Sequence, residues 1–379
     1  MPDLFTIAFT FLGIFILFIV YKKDKRVSDY TLILLNVISG IGLYVSLHAT
    51  PEMPPLSFFL HLIIANLGMS IFMVYASQLI TGQSWQRYYW LFFASFSPMA
   101  LYLFYDVFWA HANFIALQKE YFYNPPFLYH IFFKGNKVYA ILLCLYLLKQ
   151  LKEYSLSIEN NFSCIEKIRL EWLKHYVFGL ILIFTVSLFV FLFYNAGWIV
   201  RIESAYVVLN TLIIIALFYL SFHGIRYQNL EAFYLRAVAM DTAQVPQVFK
   251  VGIAPAKKIA VKSQGSLEIY EEVLKIFSET QLFTQRQLRV SDLAVRLDIP
   301  SYQLSQIINA YHGRPFYDFV ASYRVNLLKE RLVDPAYRQY TILSVGLDCG
   351  FNSKASLNRV FKDHTGMTPL QYRKSHLSK

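Results

Sequence analysis

Hydrophobic positions change their pattern near residue 223 of the chain. Before that point they form seven long apolar runs, most of which reach the ~20 residues that a helix needs to cross a hydrocarbon core of ~30 Å. After it, apolar residues recur every three or four positions among polar ones, as in amphipathic helices. The pattern predicts an all-α protein with a seven-helix transmembrane bundle over residues 1–222. The runs lie near Leu4–Tyr21, Tyr30–Leu47, Leu56–Ile80, Tyr88–Tyr105, Lys137–Leu151, Trp172–Trp198 and Ser204–Phe222, and the fifth either starts near Lys137 or extends back to Phe127.

The basic residues between the runs predict the orientation of the bundle. Lys22, Lys23, Lys25 and Arg26 follow the first run directly, and basic loops stay in the cytoplasm. With the N-terminus outside, the cytoplasmic connections hold ten Lys and Arg and the outward connections four. Seven crossings then place the C-terminal part in the cytoplasm, so we expect a multi-pass protein of the cytoplasmic membrane in contact with lipid.

Charge divides the chain in the same way as hydropathy. The whole sequence is 56% hydrophobic and only 16% charged, yet residues 281–379 carry 14 Lys and Arg against 7 Asp and Glu, a net charge of +7. A cationic segment of this kind suits phosphate, although a basic surface alone is weak evidence for nucleic-acid binding.

The stretch from Gly350 to Lys374 has the local signals of a helix with a polar outer face. Ser353 can cap its start, and Gly366 can end it. Residues 341–349 predict a shorter helix just upstream, joined by a tight turn. Two helices so connected are typical of a helix-turn-helix motif, here residues 341–365, whose second helix enters the DNA major groove. The apolar face of that second helix consists of Leu357, Val360 and Phe361.

The same plan occurs about fifty residues earlier, in residues 291–311. Leu304, Gly313 and Phe319 recur at a constant offset as Leu357, Gly366 and Tyr372. Repetition of a whole supersecondary unit is stronger evidence than either copy alone.

The C-terminal part resembles the AraC/XylS family of transcription regulators. The resemblance covers roughly residues 267–374 and rests on SDLAVRLDIPSYQLSQIIN, GRPFYDFVASYRVNLLKERL and TILSVGLDCGFNSKASLNRVFKDHTGMTPLQYR. It implies two motifs joined by one long helix, here residues 315–332, which sets the recognition helices about one DNA turn apart. It also implies a bacterial cell, double-stranded DNA as the ligand and RNA polymerase as a partner.

Each helix-turn-helix motif has a second helix, and the outward residues in the first turns of that helix are the candidates for base contacts. Gln can hydrogen-bond adenine, Arg or Lys can hydrogen-bond guanine, and Ala can contact the methyl group of thymine. The candidates match the family's contact positions and are Tyr302, Ser305, Gln306, Lys354, Ala355, Ser356 and Arg359. Phosphate contacts, which set register without reading sequence, are assigned to Gln303, Asn309, Arg314 and Lys362. The alternative is that these residues form ordinary solvated faces.

Four positions depart from the family pattern. Asp298 replaces a glycine in the first turn, where Asp tolerates a left-handed backbone better than most residues. Gly346 replaces an alanine inside a helix, at a cost of ~1 kcal/mol. Leu328 replaces a small residue and Leu357 a phenylalanine.

The predicted domains are therefore a membrane domain (1–222), a coupling helix with linker (223–265) and a DNA-binding domain (266–379). Residues 226–240 predict an amphipathic coupling helix, which motivates the hypothesis of a homodimer. A pocket that senses an unknown small molecule or envelope signal would draw on polar and aromatic residues near the outer boundary or within a span, although surface placement explains them as well. These residues are His48, His61, Asp106, Trp109, His111, Trp198, Arg201 and Glu203.

Intramembrane asparagines are a further weak clue to a site, with hydrogen bonds between helices as the alternative. No metal-ligand spacing, cofactor motif or catalytic constellation is found, and the three separated cysteines predict buried thiols. The sequence thus predicts a one-component membrane-bound transcription regulator rather than an enzyme. The alternative is a membrane enzyme or transporter that carries a regulatory DNA-binding appendage.

Overall fold

The computed structural model describes residues 27–47, 55–81, 127–166, 168–195, 198, 202–226 and 264–377, with single residues between 13 and 21. Regular structure in these ranges is helical, in agreement with the predicted all-α class. The described residues form two compact units. One comprises those of 1–152 and 170–236, and the other those of 153–169 and 237–379. Residues 153–169, called the connector below, therefore fold with the C-terminal helices, whereas the sequence placed them within the membrane domain.

Five helices make up the described part of the N-terminal unit and the connector's first residues. Their bounds are α1 (Val27–Leu47), α2 (Pro55–Thr81), α3 (Phe127–Asn161), α4 (Glu171–Asn195) and α5 (Ile202–Arg226). Helix α1 packs against α2 and α5, and α4 packs against α5. Asn36 is buried on α1, where its Oδ1 accepts a hydrogen bond of 3.0 Å from the Ser221 hydroxyl of α5. This contact fits the interpretation of the intramembrane asparagines as links between helices.

Only α4 and α5, among the described residues, are long and apolar enough to cross a membrane, while 27–42 and 67–81 form shorter apolar helical stretches. The seven-helix bundle is therefore not confirmed. The fifth predicted run does extend back to Phe127, within a helix of 35 residues. The fourth run, most of the first run and residues 227–240 of the predicted coupling helix lie outside the described residues.

Seven helices form the C-terminal domain (residues 264–379). They are α6 (Gln264–Thr280), α7 (Val290–Arg296), α8 (Ser301–His312), α9 (Phe316–Val333), α10 (Ile342–Asp348), α11 (Lys354–Thr365) and α12 (Pro369–Leu377). The long helix α9 packs against α8, α10, α11 and α12. It corresponds to the predicted linking helix, and its Phe316, Phe319 and Leu328 side chains are fully buried. Helix α6 begins two residues before the predicted domain boundary, so Ser266 lies inside the helix, where it is buried.

Candidate nucleic-acid interface

The turns of the two helix-turn-helix motifs have the same backbone geometry. In the first, Asp298 adopts a left-handed φ of 51°, and the Ile299 amide donates to the Ala294 carbonyl at 3.1 Å. In the second, Gly350 has a φ of 94°, and the Phe351 amide donates to the Gly346 carbonyl, also at 3.1 Å. The repeat seen in the sequence is therefore a repeat of hydrogen bonds, and Asp298 adopts the conformation that its replacement of glycine predicts.

Local capping fixes the ends of the second motif. The Thr341 hydroxyl accepts a hydrogen bond from the Ser344 amide, and the Ser353 hydroxyl accepts one from the Ser356 amide. Gly366 ends α11 in a left-handed conformation. In the first motif Pro300 precedes α8, and Gly313 ends that helix in the same way as Gly366. The two recognition helices, α8 and α11, each have 12 residues and end at a left-handed glycine, whereas only α11 has a side-chain cap at its start.

The seven predicted base-contact residues, called the reading face below, differ in their exposure. Tyr302 is 56% exposed, and Lys354, Ala355 and Arg359 are exposed as well. Gln306 is half-buried, whereas Ser305 and Ser356 are buried, with 7% and 6% exposure. The cationic and aromatic members therefore face outward. Among the predicted phosphate contacts, Arg314 and Lys362 are exposed, and Gln303 and Asn309 are half-buried.

The two serines are buried because the connector lies against them. On the first motif, the Ser305 hydroxyl donates to the Asn160 carbonyl at 3.1 Å, and the Asn309 Nδ2 donates to the Asn160 Oδ1 at 3.0 Å. Phe162 forms an antiparallel β-bridge with Arg289, next to the start of α7. Asn160 therefore holds a base-contact candidate and a phosphate-contact candidate at once.

On the second motif, the contact is made by the carboxylate of Glu166. Its Oε1 accepts a hydrogen bond of 2.6 Å from the Ser356 hydroxyl and lies 3.6 Å from Arg359 Nη2. Arg359 also donates from Nη2 to the Tyr317 hydroxyl of α9, at 2.9 Å. Burial, and the carboxylate of Glu166 after it, raise the pKa of Tyr317 to about 12, so this hydroxyl stays neutral at physiological pH.

The buried guanidinium of Arg324 hydrogen-bonds to the connector and to the segment that precedes α7. Arg324 of α9 donates from Nε to the Phe283 carbonyl at 2.7 Å and from Nη2 to the Gln285 carbonyl at 2.7 Å. It also donates to the carbonyl and the hydroxyl of Ser163, both at 3.2 Å. Burial lowers the pKa of Arg324 to about 10, which still leaves the group charged at neutral pH. Four neutral oxygen acceptors satisfy N–H donors of the guanidinium, which offsets part of the cost of burying its charge.

The connector also contains buried apolar side chains. Phe162, Ile165 and Ile168 are at most 4% exposed, and Cys164 is 8% exposed. Burial is the main cause that raises the pKa of the Cys164 thiol to about 12. All three cysteines are free and buried, as predicted. Asn160, Ser163, Glu166 and Arg324 carry no local sequence signal for these roles, because their partners are distant in the chain.

Most of the predicted sensing residues lie outside the described residues. His48, Asp106, Trp109, His111 and Arg201 are not described, and of His61 and Glu203 only the helical backbone is. Trp198 is 76% exposed. Among the described residues, no group of three His, Cys, Asp or Glu side chains is placed to hold a metal ion.

Comparison with known proteins supports the C-terminal assignment. The family model of a helix-turn-helix domain matches residues 293–375. These residues are a helix-turn-helix domain. Over 107 residues the chain is 25% identical to the probable transcription factor PqrA of Proteus vulgaris, which covers 28% of this chain and 84% of that protein. Together these matches support an AraC-type regulator and DNA-binding transcription regulation. A solved structure of a protein of unknown function from Listeria innocua is 30% identical, covers 28% of this chain and 97% of its own, and has a TM-score of 0.26.

Proposed function

We propose that this chain is a membrane-bound, sequence-specific transcription regulator in which apolar N-terminal helices receive a signal and the C-terminal domain binds double-stranded DNA. The observation that carries the proposal is the pair of helix-turn-helix motifs held by α9, with the exposed basic side chains of Lys354, Arg359 and Lys362 on α11 and that of Arg314 just after α8. The net charge of +7 over residues 281–379 suits a surface that displaces counterions from phosphate.

The apolar surface of α4 and α5 supports the membrane part of the proposal. In 18-residue apolar windows within Glu171–Val190 and Val207–Arg226, only 28% and 33% of the residues are buried, whereas the core helix of a soluble protein is mostly covered. Long helices with outward apolar side chains are stable in a hydrocarbon solvent because their backbone groups are satisfied within the helix. Exposed apolar residues on these two helices include Phe178, Leu182, Phe189, Val208 and Ile215.

The connector supports the proposed topology. It joins α3 to α4, and the positive-inside argument assigns this connection to the cytoplasm on the basis of Lys149, Lys152, Lys167, Arg169 and Lys174. Its hydrogen bonds to the C-terminal domain require the two to lie on the same side of any membrane. An outward N-terminus and a cytoplasmic DNA-binding domain satisfy both conditions. RNA polymerase, a second copy of the chain and a small-molecule or envelope signal are the partners that this function would use.

Two measurements on the full chain test the proposal. The chain, purified in detergent, is incubated with a randomised 40-base-pair duplex library at low salt, and the retained duplexes are sequenced. We expect recovery of a sequence with two half-sites about one helical turn apart and a steep loss of binding with added salt. In intact spheroplasts, a C-terminal tag should resist external protease and become sensitive only after lysis. A chain that extracts from membranes at high pH, or that retains no duplex, would contradict the proposal.

A further inference from the structure

The connector contacts both recognition helices through polar atoms of the reading face. Asn160 accepts from Ser305 on α8, and Glu166 accepts from Ser356 on α11. These contacts join residues that are 145 and 190 positions apart in the sequence. The connector therefore binds side chains on both motifs, and these side chains are the ones expected to contact base edges.

The connector and DNA cannot occupy the same side chains of the reading face at the same time, for chemical reasons. A hydroxyl whose proton is donated to a carboxylate at 2.6 Å is not available as a donor to a base. The Glu166 carboxylate would also face the negatively charged phosphates of a duplex docked on α11. The donors that it engages, a hydroxyl and a guanidinium, are the groups that otherwise bind phosphate or a guanine edge.

We propose that the connector is an autoinhibitory segment that occupies Ser305 and Ser356 of the reading face and pairs with Arg359, so that DNA binds with full affinity only after Asn160 and Glu166 have left α8 and α11. This inference rests on the proposed function, because it assumes that the reading face binds DNA. Connector docking and DNA binding are then reciprocally linked: each weakens the other by the same factor.

The contact is suited to release. The ion pair between Glu166 and Arg359 is partly solvated, with the two side chains 27% and 43% exposed, so it is weak and is screened by salt. The connector continues α3 and leads into α4, two helices of the proposed membrane domain, so a signal received there has a covalent route to the reading face. Release of the connector would reduce the fraction of covered chains, which sets the apparent affinity for DNA.

The first experiment compares matched charge removals in the full chain. Glu166→Ala removes the carboxylate on the reading face, whereas Glu159→Ala removes a carboxylate of the same connector that pairs with Arg169 at 3.6 Å. Affinity is measured by fluorescence anisotropy in detergent, with a labelled 40-base-pair duplex selected by the wild-type chain. We expect Glu166→Ala to bind this duplex about tenfold more tightly, since hydrogen bonds to charged groups are among the stronger ones. Asn160→Ala combined with Glu166→Ala should bind more tightly still, and Glu159→Ala should stay within about twofold of wild type.

The second experiment reports whether the connector moves when DNA binds. Cys164 is buried beside Glu166, whose Oε2 lies 3.2 Å from its sulfur, so its alkylation by N-ethylmaleimide should be slow in the covered state. Saturating duplex should speed the alkylation of Cys164 several-fold, as measured by mass spectrometry of the peptides. Cys144 and Cys349, both 0% exposed, are internal references that should stay protected.

The outcomes separate this inference from the proposed function. If all four chains bind the duplex equally well, or if DNA slows the alkylation of Cys164, the connector is a structural support and the inference is wrong while DNA binding stands. If no chain retains any duplex at low salt, the proposed function falls and the inference falls with it. A gain in affinity for Glu166→Ala together with faster alkylation of Cys164 on DNA supports both.

Discussion

Gly346 and Leu357 both depart from the family pattern, and their side-chain positions are adjacent in the packed interior. A methyl group added to Gly346 would lie 2.7 and 2.8 Å from the two terminal methyl carbons of Leu357, which is 1% exposed. The leucine therefore fills the volume that the glycine leaves open. The cost of glycine inside a helix is offset by this packing, which the sequence alone does not reveal.

We predict that Gly346→Ala destabilises the C-terminal domain, by about 1–3 kcal/mol, because overpacking outweighs the ~1 kcal/mol gain in helix propensity. Gly265→Ala on α6 is the matched control, since no atom lies within 4 Å of the added methyl group. It should leave stability unchanged or raise it slightly. Urea unfolding of residues 264–379 measures both, and a Gly346→Ala domain as stable as wild type would show that Leu357 moves aside freely.

Gly350 lies close to two backbone carbonyl oxygens and to Nε of the buried Arg324 side chain. With a φ of 94°, an added methyl group would lie 2.8 Å from the Thr284 carbonyl oxygen and 2.9 Å from that of Phe283. We predict that Gly350→Ala costs more than about 3 kcal/mol, from strain and clash together. Gly366→Ala has a similar φ of 77° with no atom within 4 Å, so it should cost only about 1–2 kcal/mol. Equal urea midpoints for the two variants would contradict this account.

Arg359 and Arg314 should affect DNA binding in different ways. Arg359 lies on the reading face, so Arg359→Ala should remove about 1–3 kcal/mol of preference at one base pair of the selected duplex. Arg314 is exposed after α8 and is assigned to phosphate, so Arg314→Ala should weaken binding to all duplexes alike and reduce the salt slope by about one. Anisotropy titrations against the selected duplex and its single-base variants at several salt concentrations distinguish the roles. The assignment is wrong if both variants lose discrimination equally.

Among the helices, α9 joins the two motifs through its own side chains. Its buried Arg324 bonds to the carbonyls of Phe283 and Gln285, which come just before α7, and to the connector at Ser163. A planar guanidinium reaches acceptors in several directions at once, which a single ammonium group does not. The orientation of the first motif on α9 therefore depends on this side chain.

We predict that Arg324→Lys lowers the stability of the C-terminal domain by about 2–4 kcal/mol, because buried carbonyl groups lose their donors. Arg331→Lys, on the same helix, is the control. Arg331 is half-buried. It donates a 3.8 Å hydrogen bond to the Cys349 sulfur and makes a cation–π contact with Tyr337, so its replacement should cost about 1 kcal/mol or less. Similar unfolding midpoints for the two variants would show that Arg324 is dispensable.

At the scale of the whole molecule, removal of the N-terminal part also removes the connector, which should alter both DNA affinity and stability. Residues 264–379 alone lack Asn160, Ser163 and Glu166, so the reading face is uncovered and Arg324 loses two of its acceptors.

We predict that residues 264–379 bind the selected duplex at least about tenfold more tightly than the full chain, yet melt at a lower temperature. Both effects follow from loss of the connector, the first by mass action and the second by loss of buried contacts. Restoring residues 153–169 through a flexible linker should reverse both changes, whereas a scrambled connector should reverse neither. Anisotropy and thermal unfolding are the measurements, and an isolated domain with unchanged affinity would contradict the prediction.

The sequence by itself determined the helices of the C-terminal domain, their caps and their repetition. These features depend on residues within a few positions of one another: a serine three residues before the amide that it accepts from, or a glycine that ends a helix in a left-handed conformation. The exposure of Tyr302, Lys354 and Arg359 follows from the same helical spacing.

Only the tertiary structure decided which parts of the chain meet across long separations. Burial of Ser305 and Ser356, the pairing of Glu166 with α11 and the fit of Leu357 against Gly346 depend on contacts between residues far apart or on the shape of the packed interior. No periodic pattern encodes such contacts, because each depends on the position of a whole element and on the free energy of burying its partner. The apolar pattern that predicts the membrane helices is likewise local, whereas the association of residues 153–169 with the C-terminal helices belongs to the fold.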